Sequence, residues 1–184
     1  MEAPSTQQIR RAQMGDRNAQ EQVLAYLYPY VRKHLSFVIG FRSFIEDEAV
    51  QESLLQIYRA LPSFRFRASI KTWALRIASR TTRRLLRAHR RQLATFSESG
   101  VPPEDVPDGF SVQDDATRDD LIALAAHLAK LGLKKREAFV LIEVLGLTAQ
   151  EAGAVLGVSP NTAASRHRHA RGELRELFAQ ESEK

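Results

Sequence analysis

The chain contains no cysteine. This excludes disulfides and thiolate metal sites and fits a reducing, cytoplasmic setting. It has no apolar run of about 18 residues, the length a membrane-spanning helix needs. The opening stretch, MEAPSTQQIRRAQMGD, lacks the apolar core of a secretory signal. Strand-like alternation and internal repeats are also missing. The most informative absence is local: from Ser53 to Ser97 there is not one acidic residue.

What is present is a chain of 184 residues, 43% apolar, with 27 Lys plus Arg against 22 Asp plus Glu. That is enough apolar residue for one medium core or two small ones, and the basic excess favours polyanionic partners. The acid-free block holds Arg59, Arg65, Arg67, Lys71, Arg76, Arg80, Arg83, Arg84, Arg87, Arg90 and Arg91. The sign then inverts. Glu98, Glu104, Asp105, Asp108, Asp114, Asp115, Asp119 and Asp120 stand against Arg118 alone, among Gly100, Pro102, Pro103, Pro107 and Gly109. Proline, glycine and acid together read as a linker without a core of its own. Its expected limits are residues 93 and 117.

Both sides of the linker read as helical. Apolar spacing predicts a short helix over Ile9–Met14 and a second over Asn18–Ile39, with a kink or break at Pro29. A third helix is expected over Phe44–Leu61, ended by Pro62-Ser63, and a fourth over Ile70–Gln92. Beyond the linker, Asp120–Leu131 and Lys134–Leu145 carry helical periods, with Gly132 and Gly146 as breaks. The expected fold is all-α. It consists of two small helical domains, 1–92 and 118–184, tethered by the acidic segment 93–117.

The stretch LTAQEAGAVLGVSPNTAASRHRHARGELRELF spells a helix-turn-helix. Thr148 and Glu151 form a capping box for the first helix. Gly157 ends it. Ser159 caps the second helix, with Pro160 at its first position, where a missing N–H costs nothing. The second helix carries Asn161, Thr162, Ser165, Arg166, Arg168 and Arg171, the polar and basic layout of a helix that enters a DNA major groove. An ordinary helical hairpin with a solvated basic face is the alternative. His167 and His169 do not share a face, so a metal role is not expected.

In the acid-free block Phe64, Phe66 and Trp73 are interleaved with Arg65, Arg67, Lys71 and Arg76. Aromatic faces stack on unpaired bases and cations follow the phosphates, as in proteins that hold single strands. Ser63 and Ser69 add hydrogen-bonding groups, and Trp73 also fits a core position. Just before this block lie Glu46, Asp47, Glu48 and Glu52, with Gln51. They are readable as a metal site, as catalytic carboxylates or as a docking face. No His or Cys lies nearby, which favours a docking face for a basic protein.

The segment EDEAVQESLLQIYRALPSFRFRASIKTWALRIA resembles region two of bacterial sigma factors of the extracytoplasmic-function (ECF) class. LGLKKREAFVLIEVLGLTAQEAGAVLGVSPNTAASRHRHARGELREL resembles region four. RRAQMGDRNAQEQVLAYLYPYVRKHL fits the opening helices of that family. The resemblance implies a promoter-specificity subunit, without enzymatic activity, cofactor or metal, and associated with the nucleoid when active. Glu48, Gln51, Glu52 and Leu55 would dock on the clamp helices of the largest subunit of core RNA polymerase, whose flap is the second expected contact. Phe64, Arg65, Phe66, Arg67 and Ser69 would capture a base flipped from the minus-ten element. Lys71, Trp73, Arg76, Arg80, Arg83 and Arg84 would hold the melted strand. Asn161, Thr162, Ser165, Arg166, Arg168 and Arg171 would read the minus-thirty-five element. An anti-sigma protein is the expected regulator.

The family commonly has a small polar pair such as Gly-Asp where this chain has Phe66-Arg67, and a leucine where it has His167. Two rivals stand beside this reading. One is a self-sufficient dimeric helix-turn-helix regulator. The other is a metal-dependent nuclease using the Glu46–Glu52 carboxylates.

Overall fold

The computed structural model describes residues 2–40, 44–98 and 124–182. Among the described residues there is no strand. Helix α1 (Thr6–Gln13) starts with a capping box between Ser5 and Gln8, and α2 (Arg17–Ile39) is capped by Asp16. Helix α3 (Phe44–Ala60) leads through a 3-10 turn, Leu61–Ser63, and a short loop into α4 (Ile70–Glu98). A helix over 124–130, α5, precedes α6 (Leu133–Phe139), which runs on through a π turn, Val140–Val144. The last pair, α7 (Ala149–Leu156) and α8 (Pro160–Ser182), is the helix-turn-helix.

Some expectations need correcting. Helix α4 continues to Glu98, six residues past the expected domain edge at 92, so the segment assigned to the linker starts as helix. The rest of that assignment, with the acidic stretch, lies outside the described residues. Pro29 does not break α2. It removes the hydrogen bond to the Ala25 carbonyl, but Ala25 and Pro29 are both exposed, so water can take that carbonyl. The expected helix over Lys134–Leu145 widens into a π turn at its end. The Leu145 N–H reaches back to the Val140 carbonyl and Leu147 N–H to Leu141, with Gly146 left-handed at φ +67°.

Helices α1 to α4 enclose one core, in which Val23, Leu27, Val31, Leu35, Ile57 and Leu61 are fully buried. The C-terminal unit encloses a second core, built on Leu128, Phe139, Val140, Ala170 and Leu174. The two units are packed on one another. Phe37 and Val38, at the end of α2, enter that second core. Leu75 of α4 is fully buried among Leu141, Leu147, Ala152, Val155 and Leu156. Arg136 Nη1 donates to the Val38 carbonyl at 2.8 Å.

Helix α4 is therefore buried on two sides. Ala74 and Ala78 face the first core and Leu75 faces the helix-turn-helix unit. The strip left in solvent carries Arg76, Arg80, Arg84, Arg87 and Arg91 at helical spacing.

Candidate nucleic-acid interface

The loop between the 3-10 turn and α4 is held from several directions. Gln13 Nε2 donates to the carbonyls of Leu61 and Phe64, at 3.2 and 2.7 Å. The Ser69 hydroxyl caps α4 by accepting from Thr72 N–H at 3.0 Å. Ser63, Phe64, Arg65, Arg67, Ala68, Thr72, Trp73 and Arg76, with Ala154 of α7, surround a concavity of about 240 Å³. Three arginines at the rim of an aromatic-floored hollow suit a base with its phosphates.

Phe64 lines that hollow only from beneath. Its ring is buried, 5.1 Å from Trp73 and 4.8 Å from Phe66, so it supports the hollow from below. Trp73 is half-buried against the first core, which combines the two roles expected of it. Phe66 is exposed, and its backbone sits at φ +56°, the left-handed region. A side chain there costs about 1–2 kcal/mol, which glycine does not pay. That gives a physical reason for a small residue at this position in the family. Here contacts with Phe64 and with Arg10, 5.9 Å over the Phe66 ring, hold the conformation.

Of the cations on α4, Lys71 is half-buried beneath Tyr30, at 5.4 Å from its ring. Arg76 and Arg80 are exposed with no carboxylate partner among the described residues. Arg84 pairs with Glu52 of α3 at 2.7 Å, a contact open to solvent. That arginine also holds the Glu52 carboxyl below the ordinary carboxylate range, with help from Gln56. Arg83 is turned away from the strip. Its Nε donates to Glu137 of α6 at 2.9 Å, and Ser79 donates to the same carboxylate at 2.6 Å. Glu137 is 1% exposed, so this is a buried carboxylate satisfied from the other unit. In this arrangement Arg83 is not available to a phosphate.

In the helix-turn-helix the local reading holds. Thr148 and Glu151 form the capping box, and Gly157 is left-handed at φ +71°. A Cβ on Gly153 would meet the Val158 carbonyl at 2.8 Å, so the close turn requires glycine there. Thr162 N–H is capped by Ser159, and the two hydroxyls lie 2.8 Å apart. Ala163, His167, Ala170 and Leu174 form the inward stripe of α8. Asn161, Ser165 and Arg168 lie opposite it, with Thr162 and Arg166 on one flank and Arg171 on the other. His167 packs inward. Its ring stands 5.9 Å from Phe139 and Nε2 meets Glu143 at 2.7 Å, which explains how it replaces an apolar residue.

The acidic face of α3 does not converge. Glu46 is 2% exposed and accepts from Ser36, whereas Asp47, Glu48 and Gln51 face solvent. No group of three or more His, Cys, Asp or Glu suited to a metal exists among the described residues. Leu55 is exposed beside them, and so is Tyr58, one turn further along the same face. The sequence reading passed over Tyr58, although its spacing from Gln51 and Leu55 placed it there.

Comparison with known proteins follows this division. Residues 21–92 match Sigma-70 region 2 and residues 121–174 match Sigma-70, region 4. The ECF RNA polymerase sigma factor ShbA of Streptomyces griseus is 32% identical over 180 residues, 94% of each chain. The ECF RNA polymerase sigma factor SigC of Mycobacterium tuberculosis is 35% identical over 130 residues, 70% of this chain and 67% of that one. Among solved structures, the sigma factor RpoE of Bartonella quintana, in complex with the anti-sigma factor NepR, superposes with a TM-score of 0.71. Its identity is 25%, covering 86% of this chain and 96% of that one. CnrH, in complex with the cytosolic domain of CnrY, shares the fold at a TM-score of 0.70 and 24% identity, covering 94% and 96%. None of these relatives favours a stand-alone dimeric regulator. With both regions matched in order, the chain belongs to the ECF class of RNA polymerase sigma factors, which direct the initiation of transcription.

Proposed function

We propose that three separate faces of this chain divide the work of a sigma factor. Glu48, Gln51, Glu52, Leu55 and Tyr58 on α3 dock on core polymerase, an acidic and apolar strip against a basic partner. Arg65, Phe66, Arg67 and Ser69, with Trp73 and Arg76 behind them, take an unpaired base of the minus-ten element. Phe64 shapes the floor, and Lys71, Arg80, Arg83 and Arg84 follow the strand. Asn161, Ser165 and Arg168 meet base edges of the minus-thirty-five element, and Thr162, Arg166 and Arg171 meet its phosphates. The protein supplies recognition and strand separation, and the polymerase supplies the chemistry, so the chain itself is not an enzyme. Its place of action is the cytoplasm, at the nucleoid.

The observation that carries this reading is the hollow of about 240 Å³ rimmed by Arg65, Arg67 and Arg76 with Trp73 in its wall. It sits at the end of a cationic strip and next to an acidic docking helix. The solved relatives are complexes with an anti-sigma factor and with the cytosolic domain of CnrY. By that likeness we assign this chain a protein inhibitor that covers the same faces.

The test is run-off transcription with purified core polymerase on a pool of genomic promoters. New start sites that appear only with this protein, and share two upstream elements, support the reading. Tight duplex binding without any transcript would overturn it.

A further inference from the structure

Between α4, α6 and α8 lies a cleft of about 260 Å³ that shares Arg83 and Arg166 with the two DNA-binding faces but coincides with neither. Arg83 and Arg87 enter it from α4, Lys134 from α6 and Arg166 from α8. Leu133, Leu156 and Val158 supply its apolar lining. Its single carboxylate, Glu137, is already occupied by Arg83 and Ser79. Arg87 is steadied by its own Nε–H, which donates to the Arg83 carbonyl at 3.0 Å. Lys134 and Arg166 have no carboxylate partner among the described residues. With Arg83 balanced by Glu137, the three remaining cations, Arg87, Lys134 and Arg166, leave an uncompensated positive cleft, and a partly enclosed site screens such charge less than open water does.

From this we infer that the cleft between the two domains binds a compact anion carrying two or more phosphates, either an inorganic polyphosphate or the phosphate chain of a nucleotide. Size supports the class. The cleft is open on one side and has room for a phosphate chain. A nucleoside, if present, lies against this apolar lining. Arginine suits this task because its planar fork takes phosphate oxygens two at a time.

The cleft exists only while the domains are packed together. Its walls come from α4 on one side and from α6 and α8 on the other, so its ligand stabilises the packed state by mass action. That state withholds Arg83 and turns Arg166 toward α4. The anion therefore opposes promoter binding, a consequence that rests on the roles proposed above for Arg83 and Arg166. The binding itself does not depend on those roles.

Titration calorimetry of the full chain with sodium tripolyphosphate, at about 0.15 M ionic strength with matched sulfate as control, tests the site. We expect saturable binding that sulfate does not reproduce. Lys134→Ala and Arg166→Ala, from α6 and α8, should each weaken it about tenfold, the effect of one charge-assisted contact. ATP binding as tightly as tripolyphosphate identifies the phosphate chain as the ligand, and tighter ATP binding identifies a nucleotide. No saturable binding, or binding indifferent to Lys134→Ala, overturns the proposal. Tripolyphosphate should also lower affinity for minus-thirty-five duplex in the wild type and do so far less in Lys134→Ala. Equal inhibition in both would mean simple competition for the recognition helix. Lys134→Ala should transcribe normally with core polymerase, so lost anion binding with intact transcription leaves the sigma assignment standing. The reverse result would remove that assignment and leave the site.

Discussion

Arg83 and Glu137, 54 residues apart, meet at 2.9 Å across the junction of the two domains. Glu137 is buried and Arg83 keeps about a third of its side chain in solvent, 30%. The pair therefore has two consequences. It satisfies a carboxylate that could not stand alone in the interior, and it holds back an arginine from the cationic strip of α4.

The two halves of this pair should not be equivalent. Arg83→Ala leaves Glu137 buried without its cation and should cost about 2–3 kcal/mol, at the low end for a buried pair because Arg83 is partly exposed. Glu137→Gln keeps an acceptor for Ser79 and should cost about 1–2 kcal/mol. Urea denaturation of both variants checks the order. Equal and small losses would mean the pair is merely a surface contact.

His34 gives the fold a pH limit. Its ring is fully buried, and neither ring nitrogen has a hydrogen-bond partner among the described residues. Burial, and secondarily the nearby Arg83, push it from 6.5 down to about 4. The folded pKa lies below the unfolded one, so the unfolded chain binds the extra proton between these values. Stability is complete above pH 6.5 and falls as pH drops toward about 4, by about 3 kcal/mol in all. Asp16, Glu52 and Glu151 are all lowered, so their contribution is lost only below their ordinary values of 3.8 to 4.5. Thermal melts between pH 7 and 4.5 should show the loss in the wild type and a nearly flat profile in His34→Leu.

Phe66 reverses the usual order of two small substitutions. Alanine normally stabilises relative to glycine, but at φ +56° alanine keeps the strain and loses the ring contacts. Phe66→Gly should be more stable than Phe66→Ala by about 1 kcal/mol. Both should weaken capture of single-stranded minus-ten DNA, since a stacked base is worth about 1–3 kcal/mol. Denaturation and strand-binding assays on the pair decide this.

Tyr58 separates docking from folding. It is 44% exposed on the same face as Leu55 and Gln51. Tyr58→Ala should leave the melting temperature within a degree or two and weaken assembly with core polymerase by about 1–2 kcal/mol. Anisotropy of the labelled chain titrated with core enzyme measures it. Unchanged affinity would move the docking face elsewhere.

Much of this architecture was legible from local chemistry. Capping at Thr148, Glu151 and Ser159, the left-handed turn at Gly157 and the cationic spacing along α4 are written in short-range patterns, and the structure keeps them. What was not legible depends on partners distant in sequence. Arg83 reads like its neighbours until Glu137 is placed beside it. Phe64 reads like Phe66 until Trp73 and the Gln13 bonds fold it under. The inward turn of Glu46 depends on Ser36. Nothing in the spacing of Phe37 or Val38 announces that the end of one domain's helix completes the other domain's core.

The account requires that the domains packed together here separate when polymerase and promoter are engaged. The chain has no cysteine, so Glu21→Cys and Glu176→Cys, both exposed, give a clean pair of labels on α2 and α8. Energy transfer between them should fall sharply from its free-protein value on binding core polymerase with promoter DNA. Transfer that stays at its free value in a transcribing complex would contradict the account.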